Sequence, residues 1–296
     1  MTHRILLYYK FVKIDNPVTF CGEHLELCRS LGLLGRIIIA REGINGTVSG
    51  TVESTEAYKS AIWSDARFAD LAFKENAHEG HAFPKLSVKA RAEIVTIGQE
   101  LLDQPTGKHL PPDEFLRILE SENVIVIDGR NDYEYDLGHF EGAIRPNFEV
   151  FKDYPSWLEA NLGDKKDKKI LTYCTGGIRC EKLTAIMIDQ GFQDVNQLQG
   201  GIVEYGKDPK TRGSRFHGQC FVFDSRIAVP INSTENQVVV GRCFHCNSHS
   251  ESYVNCANVE CNKLYLCCEG CPRCCSVACQ EAPRKREAGR KMVAQS

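Results

Sequence analysis

The chain has 296 residues, 42% hydrophobic and 25% charged, a mixture that predicts two or three folded globular domains. Its 36 basic and 39 acidic side chains give a formal net charge of −3, which excludes a global basic field and leaves nucleic-acid binding to a local patch. The first residues lack the organisation of a signal peptide and no stretch approaches the roughly 18 apolar residues of a membrane span, so a cytoplasmic protein is expected.

The first segment, residues 1–105, alternates strand-like and helix-like patterns. The turn sequence Arg-Glu-Gly-Ile-Asn-Gly is expected to separate its second and third strands. The order β-α-β-β-α-β predicts a ferredoxin-like α+β domain. The predicted strands are Ile5–Val12, Gly35–Ala40, Thr47–Ser49 and Ala92–Ile97, and the predicted helices are Pro17–Leu31 and Glu53–Ser64.

The second segment, residues 106–215, alternates apolar strands with helices, which predicts an α/β domain with a parallel sheet. Asp113 follows two prolines and is expected to cap the first helix. The predicted strands are Val124–Asp128, Lys169–Cys174 and Val195–Leu198, and the predicted helices are Glu114–Ser121 and Glu181–Gln190.

A reactive thiol is predicted at Cys174, where a strand ends at the edge of the sheet that carries ligands in α/β domains. Glycines permit a tight turn with inward-pointing N–H groups, and the following helix adds the positive end of its dipole. Arg179 adds a full positive charge and is predicted to be catalytic with Cys174. The other residues of this active-site loop are Thr175, Gly176, Gly177, Ile178 and Cys180.

Alternatives remain open at this site. Cys174 is either the reactive thiol or a buried structural cysteine at the end of a strand. Cys180 either resolves an oxidised Cys174 or packs at the start of the helix. Asp128 and Arg130 are supporting candidates that either hold the active-site loop by charge pairing or simply end a strand.

The third segment, residues 216–296, is rich in cysteine and has few helix signals. Ten of the fifteen cysteines lie between Cys243 and Cys279, a density that favours metal binding over disulfides in a reducing compartment. Such a segment needs metal to fold, and its basic tail, Arg284–Lys291, is expected to fray.

Close cysteine pairs are the usual ligands of structural zinc, and eight thiolates would hold two ions. In an interleaved arrangement, Cys243, Cys246, Cys268 and Cys271 hold one ion, and Cys256, Cys261, Cys275 and Cys279 hold the other. This leaves Cys267 and Cys274 over, with His245 and His249 as alternative ligands. Four thiolates leave no open position, so the zinc would be structural.

Four ordered signatures in the second segment resemble the rhodanese family, which also contains a group of phosphatases. They are C-T-G-G-I-R at Cys174–Arg179, V-I-V-I-D-G-R at Val124–Arg130, G-H-F-E-G-A-I-R at Gly138–Arg145 and Q-G-G-I at Gln199–Ile202. The resemblance implies a rhodanese fold with Cys174 as the reactive cysteine. The loop length implies sulfur chemistry, because the phosphatase relatives carry one residue more.

Nearly the whole chain resembles the rhodanese-domain proteins that act as oxygen-dependent tRNA uridine hydroxylases and install 5-hydroxyuridine at the wobble position. The motifs that carry the resemblance are R-E-G-I-N-G-T at Arg41–Thr47, Y-C-T-G-G-I-R-C-E-K at Tyr173–Lys182, G-Q-C-F-V-F-D-S-R at Gly218–Arg226 and N-C-A-N-V-E-C at Asn255–Cys261. The resemblance implies molecular oxygen as cosubstrate, the anticodon loop of tRNA as partner and Cys174 as the catalytic cysteine.

A tRNA partner would explain the basic residues in the stretch P-K-L-S-V-K-A-R. Three of its cations share one face of an extended strand by parity and are suited to phosphates, with Phe83 available for base stacking. Alternatively, the basic stretch is a solvated edge strand that resists aggregation, and Arg41 and Asn45 only help to form their turn. The candidate tRNA-binding residues are Lys85, Lys89, Arg91 and Arg41.

Two main functions follow. In the first, a hydroxylase, Cys174 adds to carbon 6 of the wobble uridine and makes carbon 5 electron-rich toward an oxygen species. In the second, a sulfurtransferase or persulfide carrier, Cys174 accepts a sulfane sulfur and passes it on. A third reading is a binding module with a regulatory loop. The chain has no nucleotide, flavin, haem or non-haem iron motif to indicate how oxygen is activated.

Overall fold

The computed structural model describes residues 2–99, 102–121, 123–148 and 151–282. Three large hydrophobic clusters fill the first two segments, while the cysteine-rich segment has a small core of its own built largely from cysteines. Within the described ranges, no helix has the length and apolar character needed to cross a membrane.

The first segment folds as a five-stranded sheet in the order β4-β1-β3-β2-β5, antiparallel except where β5 joins β2. The order of its first four strands, with two intervening helices, confirms the ferredoxin-like prediction. Apolar residues of both helices pack in one cluster with the sheet. The elements are β1 His3–Phe11, α1 Pro17–Ser30, β2 Leu34–Ala40, β3 Gly43–Thr51, α2 Val52–Trp63, β4 Lys74–His78 and β5 Leu86–Ala90.

Two predictions in this segment were wrong. The fourth strand is β4, whose sequence K-E-N-A-H lacks an apolar alternation, whereas residues 92–97 form no strand. Residues 92–97 are bound to the domain by a side chain instead of by strand pairing, because the Ile94 N–H donates to the Glu42 carboxylate at 2.8 Å.

The predicted turn is also shorter, because β3 already begins at Gly43, which pairs with Ala40. A Cβ at Gly43 would lie 2.0 Å from the Lys10 carbonyl oxygen, so this glycine permits close strand approach rather than a turn.

The second segment forms a four-stranded parallel sheet in the order β6-β10-β9-β7, which confirms the α/β prediction. Asp113 does not cap the first helix, because that helix begins one residue earlier at Pro112, a favoured first position for proline. The elements are β6 Lys108–Leu110, α3 Pro112–Ser121, β7 Ile125–Asp128, α4 Asp132–Leu137, β8 Gly138–Phe140, α5 Tyr154–Leu162, β9 Lys169–Tyr173, α6 Ile178–Asp189, β10 Asp194–Leu198 and α7 Gly201–Lys207.

The third segment begins against the second, because β11 pairs with β8 and contributes Phe216 and Cys220 to the cluster around Tyr173. The cysteine-rich part adds a two-stranded sheet and a short helix. Its predicted basic tail, Arg284–Lys291, lies outside the described residues. The elements are β11 Phe216–Phe221, β12 Ala228–Pro230, β13 Tyr253–Asn255, β14 Leu264–Leu266 and α8 Val277–Glu281.

Candidate active site and metal centres

The Cys174 loop connects β9 to α6 at the carboxyl end of the parallel sheet. Gly177 precedes α6 with a φ of 102°, a backbone conformation that strongly favours glycine. Its N–H donates to the Cys174 Sγ at 3.1 Å. The loop therefore aims backbone donors at the sulfur, as the glycine pattern predicts.

Electrostatics in the loop favour the Cys174 thiolate. Burial of this fully covered side chain would raise its pKa, but a hydrogen bond from Cys180, the Arg179 charge and two backbone N–H groups outweigh burial and lower it. Burial and the same hydrogen bond raise the pKa of Cys180. The pKa values of the two buried sulfurs are thus shifted in opposite directions, so Cys174 ionises before Cys180.

Arg179 is braced by a partner that the sequence reasoning missed. Its two terminal nitrogens donate to the carboxylate of Glu134 at 2.6 and 2.8 Å, and Glu134 is fully buried. Burial would raise the pKa of Glu134, but the Arg179 charge and hydrogen bonds lower it. The signal was the capping box of α4, in which Glu134 also accepts from the Asn131 N–H at 3.1 Å.

Asp128 and Arg130 form a fully buried ion pair below the loop. Arg130 donates to the two carboxylate oxygens at 2.8 and 2.6 Å, and the Tyr173 hydroxyl donates to Asp128 at 2.8 Å. Since Tyr173 immediately precedes Cys174, the pair braces the end of the strand that delivers the thiol.

The N-terminal sheet covers the loop from above. Lys74 on β4 donates to the Gly176 carbonyl oxygen at 2.8 Å and lies 4.9 Å from the centre of the Tyr9 ring. A Cβ added at Gly176 would lie 2.9 Å from a methyl of Leu7. These contacts pack the N-terminal sheet closely against Gly176 and help to leave Cys174 without solvent exposure.

A buried charge cluster joins the same two domains. The Lys182 ammonium on α6 lies 2.8 Å from a carboxylate oxygen of Glu42 and 2.6 Å from one of Glu93. Lys182 and Glu42 are almost fully buried. The motifs at Arg41–Thr47 and Tyr173–Lys182 therefore meet in space, although the chain separates them widely.

One cavity adjoins the loop and a second lies near it. The smaller, about 50 Å³, is lined by Thr47, Thr175 and Arg226 among others and so brings together three of the sequence motifs. A volume close to that of one or two waters cannot admit a nucleobase. A larger cleft of about 970 Å³ lies between the domains and contains Lys74 and Lys207.

The predicted tRNA-binding cations are exposed along one edge of the N-terminal sheet. Only Lys89 lies within β5, with Lys85 before it and Arg91 after it. The Arg91 N–H donates to the Ile39 carbonyl oxygen, close to the β2–β3 turn that carries Arg41. Phe83, by contrast, is only 5% exposed and packs in a hydrophobic cluster, so the expectation that it is available for base stacking was wrong.

The cysteine-rich segment assembles two groups of four sulfurs, each with its atoms within 4.8 Å of one another. A tetrahedral site with zinc–sulfur bonds of about 2.3 Å requires sulfurs about 3.8 Å apart. The observed distances are 3.7 Å for Cys246–Cys268 and 3.5 Å for Cys261–Cys275, so the donors fit such an ion. The groups, Cys243, Cys246, Cys268 and Cys271, and Cys256, Cys261, Cys275 and Cys279, reproduce the interleaved arrangement.

Comparison with known proteins matches all three segments. Residues 3–94 match the UPF0176 acylphosphatase-like domain, residues 111–208 the rhodanese-like domain and residues 217–282 the rhodanase C-terminal domain. A Bacillus cytotoxicus protein named tRNA uridine(34) hydroxylase is 53% identical over 291 residues, which cover 96% of this chain and 90% of the relative. A Bacillus licheniformis protein of the same name is 52% identical, covering 95% and 89%.

Proposed function

The chain belongs to the family of tRNA uridine(34) hydroxylases, and we propose that it hydroxylates the wobble uridine of tRNA at carbon 5, with molecular oxygen as cosubstrate. The observation that carries this proposal is the buried Cys174 thiolate at the point where the family's motifs converge. We further propose that the enzyme acts in the cytoplasm, on the basis of its tRNA substrate.

Cys174 acts as the nucleophile in this proposal. Its thiolate adds to carbon 6 of the uracil ring, and the electron pair of the 5,6 double bond makes carbon 5 nucleophilic. Carbon 5 bonds to one atom of molecular oxygen, and the second atom leaves as water after the O–O bond breaks, with two protons and two electrons from a cellular reductant. Loss of the carbon 5 proton then restores the 5,6 double bond and expels the Cys174 thiolate. The N–H of Gly177 and the first turn of α6 stabilise the sulfur anion before attack and after release. Arg179, held by Glu134, contributes its charge from a fixed position.

The anticodon loop is the proposed binding partner. The exposed cations at the edge of the N-terminal sheet contact its phosphates. Cys174 is fully buried, the cavity at Thr175 is too small for a base, and no residue of Cys174–Cys180 lines the larger cleft. The uridine therefore reaches the thiol when the N-terminal sheet moves away from the Cys174 loop. The contacts of Leu7 and Lys74 with the loop are the ones that this motion breaks.

The test separates hydroxylation from sulfur transfer, which would use the same thiolate. Cells grown under labelled oxygen gas should contain label in 5-hydroxyuridine, and a Cys174→Ala strain should contain none. Nucleoside mass spectrometry of the tRNA makes the measurement. Unchanged 5-hydroxyuridine in the variant, together with lost tRNA thiolation, would favour the sulfurtransferase.

The cysteine groups are proposed to bind two structural zinc ions. Thiolate donors and sulfur distances both suit zinc, and four ligands per ion leave no open position. Metal analysis of protein purified without chelator should return two zinc ions per chain. Chelation should expose residues 241–282 to protease, because the metal supplies their folding energy. Protein that contains no zinc would refute the assignment.

A further inference from the structure

A second cleft lies on the far side of α4, between that helix and the cysteine-rich segment. Its volume is about 770 Å³, and aromatic rings and two cations line it. The proposed chemistry does not use this cleft, and of its lining residues His139 alone belongs to one of the family motifs. The residues that matter are Tyr135 and His139 on one wall, and Arg242, Phe244, Lys263 and Tyr265 on the other.

The wall formed by the cysteine-rich segment presents the exposed ring of Phe244. Phe244 lies between Cys243 and Cys246 of the first sulfur group and is 50% exposed. The Lys263 ammonium lies 4.5 Å from the centre of the Phe244 ring. The Tyr265 ring, whose centre is 5.3 Å away, supports Phe244 from within the fold.

The α4 wall adds a second aromatic surface. The rings of Tyr135 and His139 are stacked with their centres 3.8 Å apart, and both are half-buried. Asp132 and Asp136 also line this wall, but Arg145 pairs with both at 3.4 and 2.7 Å. Arg145 therefore neutralises one of the two negative charges on this side.

The cations on the other wall have no carboxylate partner of this kind among the described residues. Arg242 donates to the Asn247 carbonyl oxygen at 3.4 Å, and Lys263 contacts the Phe244 ring. Neither forms an ion pair with a carboxylate in the part of the chain that the structure describes. An exposed ring beside cations without a carboxylate partner suits a single-stranded nucleic acid, whose bases stack on rings and whose phosphates attract cations.

We propose that this cleft binds an unstacked base of the tRNA substrate, with the base on Phe244 and its phosphates on Arg242 and Lys263. The inference rests on the proposed function and adds a binding site to it. The opposite face of α4 holds Glu134, the partner of Arg179. The cleft and the Cys174 loop therefore lie on opposite sides of one helix, about 10 Å apart. At this separation the bound base belongs to the same RNA loop as the target uridine.

The test measures tRNA binding and KM for the full-length, zinc-loaded protein. Phe244→Ala and Lys263→Met should each weaken binding, and loss of the stack at Phe244 should weaken it about 5- to 150-fold. Phe244→Trp should retain binding, whereas Phe244→Leu should not, because only a ring stacks on a base. Val277→Ala is the control, since Val277 is a 67% exposed side chain of the same segment outside the cleft.

Zinc content and the rate of Cys174 alkylation should be unchanged in all of these variants. If Phe244→Ala loses zinc, Lys263→Met and the Trp–Leu comparison decide the question. Wild-type tRNA binding and KM in zinc-loaded Phe244→Leu and Lys263→Met would overturn the inference while leaving the proposed function intact. A wild-type protein that forms no 5-hydroxyuridine at saturating tRNA would instead overturn the proposed function.

Discussion

The pKa of the Cys174 thiol is lowered although its side chain is fully buried. Burial opposes ionisation there, and the Cys180 thiol, Arg179 and backbone N–H groups together reverse that effect. Cys180 is itself buried and hydrogen-bonded to Cys174, which is compatible with either role considered for it, resolution or packing. Chemical reactivity at this loop is therefore a property of the pair and its surroundings rather than of one residue.

The direction of the Cys174 pKa shift predicts how alkylation depends on pH. The rate of Cys174 labelling by limiting iodoacetamide should reach half its maximum below about pH 8.5, the value for a free cysteine. Peptide mass spectrometry should find Cys174 labelled before Cys180, whose pKa is raised. The double variant Arg179→Met/Glu134→Gln removes both charges of a buried pair and should move the midpoint upward.

The predicted order of labelling fails if Cys180 reacts first. The predicted role of Arg179 fails if the double variant keeps the wild-type midpoint.

Helices and strands were predicted correctly from the sequence where the pattern of apolar side chains and the backbone preferences of the residues indicate the same element. The β9–loop–α6 unit was predicted because an apolar strand, two glycines and a helix follow in order. Strand β4 was missed because it lies at the edge of the sheet, where it pairs with β1 on one side, and its sequence lacks apolar alternation. Lys74 was missed with it, since a contact between domains leaves no local signal.

The interleaved cysteine groups were predicted because ligand spacing is local and its chemistry is narrow. The ion pair between Glu134 and Arg179 was not predicted, because it joins residues 45 positions apart in the sequence. Its only sequence trace is a capping box, which by itself indicates a helix start rather than an active site.

The charge cluster between α6 and the N-terminal domain predicts a large stability effect. Lys182→Met would leave Glu42 and Glu93 facing each other without their cation. Removing one partner from a buried pair costs about 3–5 kcal/mol of unfolding free energy. Lys108→Met is the matched control, since its partner Glu114 is a surface contact worth about 0–1 kcal/mol. Urea denaturation of both variants makes the comparison, and equal midpoints would contradict a structural role for the cluster.

In the whole molecule, the N-terminal domain covers the Cys174 loop, and the cysteine-rich segment lies beside α4 of the second domain. The formal net charge of −3 means that attraction of tRNA depends on where the cations lie rather than on how many there are. The exposed cations around β5 occupy the edge of the sheet whose opposite edge, β4, supplies Lys74 to the Cys174 loop. The proposed RNA-binding edge and the contact that covers the thiol thus belong to the same sheet.

This arrangement predicts that charge reversal at the sheet edge affects tRNA without affecting the thiol. The triple variant Lys85→Glu/Lys89→Glu/Arg91→Glu should bind tRNA more weakly, because fewer phosphates are neutralised and fewer counterions are released on binding. The slope of log affinity against log salt should become shallower by roughly 0.7–0.9 for each phosphate that the variant leaves unneutralised. These side chains are exposed, so folding should be preserved and the alkylation rate of Cys174 without tRNA should match the wild type.

The control is Lys168→Glu, an exposed cation beside the first residue of β9, at the opposite end of that strand from Cys174. It changes the net charge in the same direction but lies away from the proposed path of the RNA, so its salt dependence should remain that of the wild type. The single variants Lys85→Glu, Lys89→Glu and Arg91→Glu match the charge change of this control, and losses of affinity equal to that of Lys168→Glu would show that only net charge matters. In that case β5 would be an ordinary charged edge strand that resists aggregation, and the anticodon loop would have to reach Cys174 by another surface.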